Sequence, residues 1–120
     1  MLFILLSVRV IGARRQEKQS LGHGESPSLL RRMRVHANFA EYAPLGIVLL
    51  GLSESLTTSA LLLHGIGGLL LVGRIVHAFG VSQAKENFGF RIAGMLMTFT
   101  AIGVAAAICL YGAFLRGFLG

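Results

Sequence analysis

The sequence predicts an all-α integral membrane protein, a single domain over residues 1–120 in which four helices form an up-down bundle. The first observation is the composition, because 54% of the residues are hydrophobic and only 13% are charged, with a mean hydropathy of +0.73. Soluble domains carry about 25% charged residues, so a soluble globular domain and a disordered chain are both excluded. The second observation is that residues 55–73 and 92–115 contain no Asp, Glu, Lys or Arg. Each stretch reaches the roughly 20 residues that a membrane-spanning helix needs.

The first helix is expected over residues 1–18. Its apolar start is interrupted by Arg9 and is followed by Arg14, Arg15 and Lys18. A cleavable signal peptide carries its positive charge before the apolar run, so this order predicts a helix that is retained from Met1 onward. The apolar run is short for a span, and we expect the native start to lie some residues upstream. Arg9 is expected to face protein or to extend to the membrane interface.

The other three helices are expected over residues 27–52, 57–80 and 88–116. Residues 16–28 are polar and include Gly22 and Gly24, which predicts a surface loop. Pro27 follows Ser26 and falls in the first turn of the second helix, where its missing N–H costs nothing. The first half of this helix is polar, and it continues into an apolar segment at residues 43–52. Short connections are expected at residues 52–58 and 80–90.

The distribution of charge predicts the orientation in the membrane. The net charge is +6, and the basic residues gather in the first and third connections, whereas the second carries only Glu54. By the positive-inside rule, both termini face away from the cytoplasm and the first and third connections face it. Because most basic residues lie at the ends of spans, a nucleic-acid partner is not expected. Cys109 lies in an apolar run and is interpreted as a small buried apolar residue.

A layer of polar residues falls at one depth, toward the cytoplasmic ends of the predicted helices. Its members are Arg9, Arg34, Asn38, Glu41, Arg74, His77 and Arg91. At about 100° per residue, four residues of the second helix fall within an arc of roughly 80° and share one face. They are Arg31, Arg34, Asn38 and Glu41. Ionisable groups inside spans cost about 2.5–3.5 kcal/mol each, so such a layer is expected to line a cleft within the bundle.

The charges of this layer predict an acidic ligand. Glu41 can neutralise one arginine, and the layer then remains short of negative charge. A ligand with carboxylates or a thiolate supplies that charge, because guanidinium groups bind carboxylates through two parallel hydrogen bonds. The competing interpretation, contact with lipid headgroups, is favoured for Arg14, Arg15 and Arg32.

Other polar and small residues are interpreted as structural. His36 lies on the opposite face of the second helix and is expected to pack or to form an interhelix hydrogen bond. His23 and His64 lack neighbours that bind metals, so no metal is expected. Small residues of the third and fourth helices are expected to permit close helix contact. They are Gly65, Gly67, Gly68, Gly73, Ala105, Ala106 and Ala107.

Two segments resemble motifs of a known family. Residues 34–44, R-V-H-A-N-F-A-E-Y-A-P, and residues 73–77, G-R-I-V-H, are similar to the helix-two and helix-three motifs of the MAPEG family, the membrane-associated proteins in eicosanoid and glutathione metabolism. The resemblance covers nearly the whole chain and points to the small bacterial branch. It implies a homotrimer in the bacterial inner membrane that binds glutathione between subunits, near the cytosolic face. The matching glutathione-binding positions are Arg9, Arg34, Asn38, Glu41, Tyr42, Arg74 and His77, and the position of Arg91 implies that it activates the glutathione thiolate.

Two functions are therefore weighed. The first is a glutathione-dependent transferase or peroxidase, in which the thiolate attacks a lipophilic electrophile that arrives from the bilayer. The second is a non-catalytic membrane protein that binds an anionic lipid or metabolite in a cationic cleft. The second is motivated by three departures from the family pattern, because Val81, Ile92 and Met95 stand where some relatives place hydroxyl side chains.

Overall fold

The computed structural model describes residues 1–56, 59–85 and 87–119, and these form four helices. The helices are α1 (Leu2–Gln16), α2 (Pro27–Ser55), α3 (Ala60–Ser82) and α4 (Phe88–Leu119). Consecutive helices pack against each other in a four-helix bundle, as the sequence predicts. Parts of the two short connections, residues 57, 58 and 86, lie outside the described residues.

The start of α2 is fixed by the local sequence. Ser26 is the N-cap residue, and its hydroxyl accepts a hydrogen bond from the backbone N–H of Leu29 at 3.3 Å. The same hydroxyl donates to the carboxylate of Glu17 at 3.0 Å. Pro27 occupies the first turn, where no backbone donor is needed. Ser26 therefore ties the end of α1 to the beginning of α2, which confirms the helix start predicted from Ser26 and Pro27.

Three of the described helices are long and apolar enough to cross a membrane. They are Pro27–Ser55, Ala60–Ser82 and the part Phe88–Gly117 of α4. The 15 residues of α1 extend about 22 Å at 1.5 Å per residue, which is less than the roughly 30 Å of bilayer hydrocarbon. Within the described residues, α1 is therefore the shortest of the four helices of the bundle.

The tightest helix contact joins α3 to α4 through glycines. A Cβ atom on Gly94 would lie 2.5 Å from the backbone nitrogen of His77 and 2.7 Å from the carbonyl oxygen of Gly73. A Cβ atom on Gly73 would lie 2.9 Å from Met97. The two backbones approach more closely than any side chain permits, so the prediction of close contact is confirmed at Gly73.

The same prediction is wrong for two other glycines of α3. A Cβ atom on Gly65 or Gly68 would meet nothing within 4 Å. The 3.6-residue period places Gly68 on a face of α3 that turns away from α4. Gly65 lies beside a groove that α3 forms with Thr100, Ala101 and Val104 of α4, where the two helices leave space between them. Gly94 and Gly80, which the sequence analysis did not select, carry the contact instead, since a Cβ atom on Gly80 would lie 2.8 Å from the backbone nitrogen of Arg91.

Two small apolar cores lie at opposite ends of the bundle. At the end formed by the C-termini of α1 and α3 and the N-termini of α2 and α4, the buried residues are Leu6, Val35, Ala78 and Val81. Toward the other end they are Ile66, Leu70, Ala101 and Ala105. Large apolar side chains cover much of the outer surface, among them Leu61 and Leu110, which are 83% and 73% exposed. An apolar exterior of this kind suits a chain that is surrounded by lipid.

Candidate functional site

A cleft opens at the end of the bundle where α2 and α4 begin. It has a volume of about 650 Å³ and lies between α2, α3 and the start of α4. Its lining residues are Leu30, Arg31, Arg34, Ala37, Asn38, Glu41, His77, Val81, Ala84 and Arg91. Three arginines and one glutamate therefore line the same cleft, which we call the cationic cleft.

Helix α2 contributes the four polar residues that its period places on one face. Arg31, Arg34, Asn38 and Glu41 all line the cationic cleft. Glu41 and Arg34 are exposed, whereas Asn38 between them is half-buried. The shared face that was predicted from the spacing is therefore the face that α2 turns to the cleft.

The opposite wall comes from α3 and α4. His77 is buried on α3, one turn after Arg74, and Arg91 lies in the first turn of α4. Asn87 fixes this first turn, because its side-chain oxygen accepts from the backbone N–H of Phe90 at 3.2 Å and its carbonyl oxygen accepts from that of Arg91 at 3.1 Å. The backbone N–H of Asn87 donates to the carbonyl of Gly80 at 3.1 Å, which anchors α4 to the end of α3. Arg91 is thus held opposite the polar face of α2.

Arg74 occupies a different place from the one expected for a ligand contact. Only 2% of its surface is exposed, and it does not line the cationic cleft. Its guanidinium group donates from Nε to Thr98 Oγ1 at 2.9 Å and from Nη1 to Asn38 Oδ1 at 2.6 Å. Nη2 points to the sulfur of Met95 at 3.3 Å, and the ring of Tyr42 lies 5.5 Å from the guanidinium carbon. In the single chain Arg74 therefore lies behind the cleft wall. The reason is its angular position on α3, because α3 turns His77 toward the cleft and Arg74 toward Asn38 and Thr98.

Tyr42 and Arg9, two further expected ligand contacts, also lie outside the cleft wall of the single chain. Tyr42 packs its ring edge against Phe99, with ring centroids 5.5 Å apart, and faces Arg74 in a cation–π contact. Arg9 donates from Nη1 to the hydroxyl of Ser82 at 3.4 Å, so it joins α1 to the end of α3. Their expected roles in glutathione binding stay predictions.

Two arginines for which lipid contact was favoured have partners within the protein. Arg14 donates from Nη1 to the carbonyl oxygens of Ser20 and Gly22, at 3.2 and 2.9 Å. Arg32 donates to the carbonyl oxygen of Arg9 at 3.3 Å. Arg14 thus holds the loop after α1 in place, and Arg32 attaches α1 to α2. The loop carbonyls could not be assigned from sequence, because their direction depends on the positive φ angles of Gly22 and Gly24, +66° and +53°.

His36 behaves as the sequence analysis expects. Its Nε2 lies 3.0 Å from the hydroxyl of Ser7, and its ring centroid lies 4.8 Å from that of Phe3. Both contacts are made to α1. His36 therefore joins α2 to α1 on the side away from the cationic cleft.

The sequence analysis did not identify the two residues of α4 that contact Arg74. Thr98 is completely buried and Met95 is half-buried, and both meet the guanidinium group. The available signal was a hydroxyl residue in an apolar span, because such a residue needs a hydrogen-bond partner. Thr98 lies one helical turn after Gly94, the closest point of α3 and α4.

The cationic cleft is suited to bind a small dianion. Three guanidinium groups and one carboxylate line it, Arg31, Arg34 and Glu41 from α2 and Arg91 from α4, and guanidinium groups form strong, charge-assisted hydrogen bonds with carboxylates. Glu41 is the group that could pair with an ammonium group of a ligand, and Arg91 faces it from the other wall. The arrangement therefore favours a ligand with more negative than positive charges.

Comparison with known proteins gives two further findings. The model of the MAPEG family matches residues 1–111 of this chain. The inner membrane protein YecN of Escherichia coli strain K12 is 31% identical over 102 residues, which cover 85% of this chain and 76% of the relative. The inner membrane protein YecN of Escherichia coli O6:H1 is similar to the same extent.

Proposed function

Since this chain belongs to the MAPEG family of membrane proteins, we propose that it is a glutathione-dependent transferase or peroxidase. In this proposal the cationic cleft binds glutathione and activates its thiolate, which attacks lipophilic electrophiles. The family membership alone leaves the reaction open. The composition of the cleft is what supports this choice.

The observation that carries the proposal is the balance of charge in the cationic cleft. Three arginines stand against one glutamate. Glutathione has two carboxylates and one ammonium group, and its thiolate form has one more negative charge. In this proposal Arg31 and Arg34 bind the carboxylates, and Glu41 binds the ammonium group. The ligand would then supply the negative charge that the cleft lacks.

Arg91 is the residue proposed to act on the thiol. The thiolate is the nucleophile, and a neighbouring guanidinium group lowers the pKa of a thiol from about 8.5. With an aryl halide, the thiolate sulfur forms the new C–S bond and the halide leaves with its bonding electrons. With a lipid hydroperoxide, the sulfur attacks the outer peroxide oxygen and the O–O bond breaks. The alkoxide that leaves takes a proton. The thiol of a second glutathione then attacks the sulfur of the resulting sulfenic acid, so that the S–S bond forms, the S–O bond breaks and water leaves.

The location of the cleft accounts for a lipophilic second substrate. The outer faces of α3 and α4 beside the cleft carry exposed apolar residues, such as Phe79, Phe90 and Ile92. A substrate dissolved in the bilayer therefore meets the cleft without crossing water. We further propose that the cleft faces the cytoplasm, and that three copies assemble so that Arg9, Tyr42 and neighbouring chains complete the glutathione site.

A second function remains a candidate because of one feature of the cleft wall. None of its described lining residues carries a hydroxyl group. A cleft without hydroxyl donors beside Arg91 suits an anionic lipid or metabolite that is bound but not transformed. The two candidates differ in whether glutathione is preferred over other anions.

Calorimetric titration of the detergent-solubilised protein with glutathione separates the two functions. We expect saturable binding, and we expect Arg34→Ala to weaken it about ten-fold or more, since hydrogen bonds to charged groups contribute about 1.5–3 kcal/mol. Arg15→Ala is the matched control, because Arg15 is exposed on α1 and outside the cleft. Equal weakening by both variants would contradict the proposal. Binding of an anionic phospholipid that glutathione does not displace would favour the second function.

A further inference from the structure

We infer that Arg74 is a positioning residue, which locks the side chain of Asn38 so that its amide N–H group is presented to the cationic cleft. The inference rests on the proposed function in one respect, because the acceptor for that N–H group is taken to be an oxygen of glutathione. It assigns Arg74 a role through Asn38 in place of direct contact with the ligand.

The guanidinium group of Arg74 is surrounded by fixed partners on two other helices. Arg74 is 2% exposed and Thr98 is 0% exposed. The hydroxyl of Thr98 donates to the carbonyl oxygen of Gly94 at 2.8 Å, so its lone pairs are left for Arg74 Nε at 2.9 Å. This arrangement fixes the plane of the guanidinium group. The Tyr42 ring adds a contact at 5.5 Å from the guanidinium carbon.

The chemistry of arginine then determines which way the amide of Asn38 points. A guanidinium group donates hydrogen bonds and accepts none. The atom of Asn38 that lies 2.6 Å from Arg74 Nη1 therefore has to be the carbonyl oxygen Oδ1. In a planar amide the nitrogen lies on the other side of the carbon, so Nδ2 points away from Arg74. Asn38 lines the cationic cleft, and we therefore infer that the side of its amide turned away from Arg74 is the side that meets the cleft.

This lock explains why a buried charge is kept at this depth. Ionisable groups inside spans are costly, and they persist where they serve binding or catalysis. Through Asn38 the positive charge of Arg74 polarises a neutral donor that lies between Arg34 and Glu41 on α2. The resulting N–H donor binds a carboxylate or carbonyl oxygen without adding another full charge to the cleft. Selectivity for an oxygen acceptor is the expected result.

The test uses Thr98, which lies outside the cleft wall and contacts Arg74 through its hydroxyl group. Thr98→Val has nearly the same shape and lacks the hydroxyl, whereas Thr98→Ser keeps it. We expect Thr98→Val to shift the Asn38 side-chain amide resonance in NMR spectra of the ligand-free protein. We expect it to weaken glutathione binding about three- to ten-fold, and Thr98→Ser to restore both readouts.

Asn38→Asp provides a second variant that does not depend on the folding of Thr98→Val. An aspartate keeps the acceptor for Arg74 and removes the N–H donor. We expect the melting temperature to be unchanged or higher, while glutathione binding weakens about ten-fold or more. Unchanged glutathione binding in this variant would show that the N–H group of Asn38 is not a donor to the ligand.

The outcomes separate this inference from the proposed function. The inference is overturned if Thr98→Val leaves the Asn38 resonance unchanged in the ligand-free protein, or if Asn38→Asp binds glutathione as tightly as the wild type. If the wild type does not bind glutathione, the proposed function fails. The effect of Thr98→Val on the ligand-free Asn38 resonance then still decides whether Arg74 positions Asn38.

Discussion

The two ends of the bundle each contain a fully buried hydroxyl side chain, but they use it differently. At the end remote from the cationic cleft, Ser53 donates to the carbonyl oxygen of Leu49 at 2.8 Å and lies 3.3 Å from that of Ala105. At the cleft end, Thr98 accepts from Arg74 and donates to Gly94. Both hydroxyls are 0% exposed. The first joins two helices by backbone contacts, whereas the second supports a buried cation that reaches a third helix.

The two buried hydroxyl groups differ in the free-energy cost of the polar groups around them. A hydroxyl that bonds to nearby carbonyls needs no charge and serves packing alone. A buried guanidinium group carries a much larger cost of desolvation, which the hydrogen bonds that it donates to three side chains offset only in part. The cleft end thus has the features of a binding site, and the remote end those of a structural core.

The largest effect is expected for Arg91→Ala in an assay with glutathione and an aryl halide. Loss of the group proposed to stabilise the thiolate should lower turnover by about 10²-fold, comparable to removal of one donor from an oxyanion hole. Arg116→Ala is the matched control at the remote end of the same helix, where Arg116 donates to the carbonyl oxygen of Ser55 at 3.3 Å. Equal rates in the wild type and Arg91→Ala would contradict the proposed role of Arg91 and would show no catalytic difference between the two ends.

An intermediate effect is expected for Gly94→Ala, measured as thermal stability in detergent. The new Cβ atom would lie 2.5 Å from the backbone nitrogen of His77, so α3 and α4 have to separate. Overpacking of this kind costs roughly 1–3 kcal/mol. Because Arg74, His77 and Arg91 depend on this contact for their placement, glutathione binding should weaken as well.

Gly68→Ala is the control for this substitution. Its Cβ atom would meet nothing within 4 Å, and alanine is the better helix former. The melting temperature should be unchanged or slightly higher. If both alanines lowered stability equally, the contact between Gly73 and Gly94 would not be what sets the spacing of α3 and α4.

The smallest effect is expected for Ser53→Ala at the remote end. The substitution removes hydrogen bonds to backbone carbonyls, and interhelix hydrogen bonds in membrane proteins contribute about 0.6 kcal/mol on average. The melting temperature should fall slightly, while glutathione binding and turnover stay at the wild-type level. A large loss of glutathione binding in Ser53→Ala would show that the two ends are coupled.

Much of the cleft was predictable from helical spacing and depth. The period of 3.6 residues places Arg31, Arg34, Asn38 and Glu41 on one face of α2, and this face lines the cleft. The predicted depth brings His77 and Arg91 to the opposite wall. These predictions hold because residues spaced at the helical period stay on one face of their helix. Residues at equal distance from the ends of their spans also lie at similar depth in any bundle of these helices.

The place of Arg74 and the partners of Arg14 were not predictable in the same way. Arg74 shares its depth with Arg34 and Arg91, and depth alone gives no rotation of α3 about its axis. Arg14 bonds to carbonyl oxygens of a loop, whose directions no periodic pattern describes. The place of Arg74 depends on contacts between helices that are distant in sequence, whereas the partners of Arg14 depend on the irregular backbone of the loop that follows α1.

The amino-acid sequence by itself determined the number of helices, their bounds to within a turn, and the polar face of α2, because hydropathy and the helical period act locally. The tertiary structure decided which arginines face the cleft and which one lies behind it. That choice follows from the rotation of α3 against α4, which is set by the close approach of Gly73, Gly80 and Gly94. Only when the backbones of both helices meet at these glycines does Thr98 come to lie beside Arg74, and Arg74 beside Asn38.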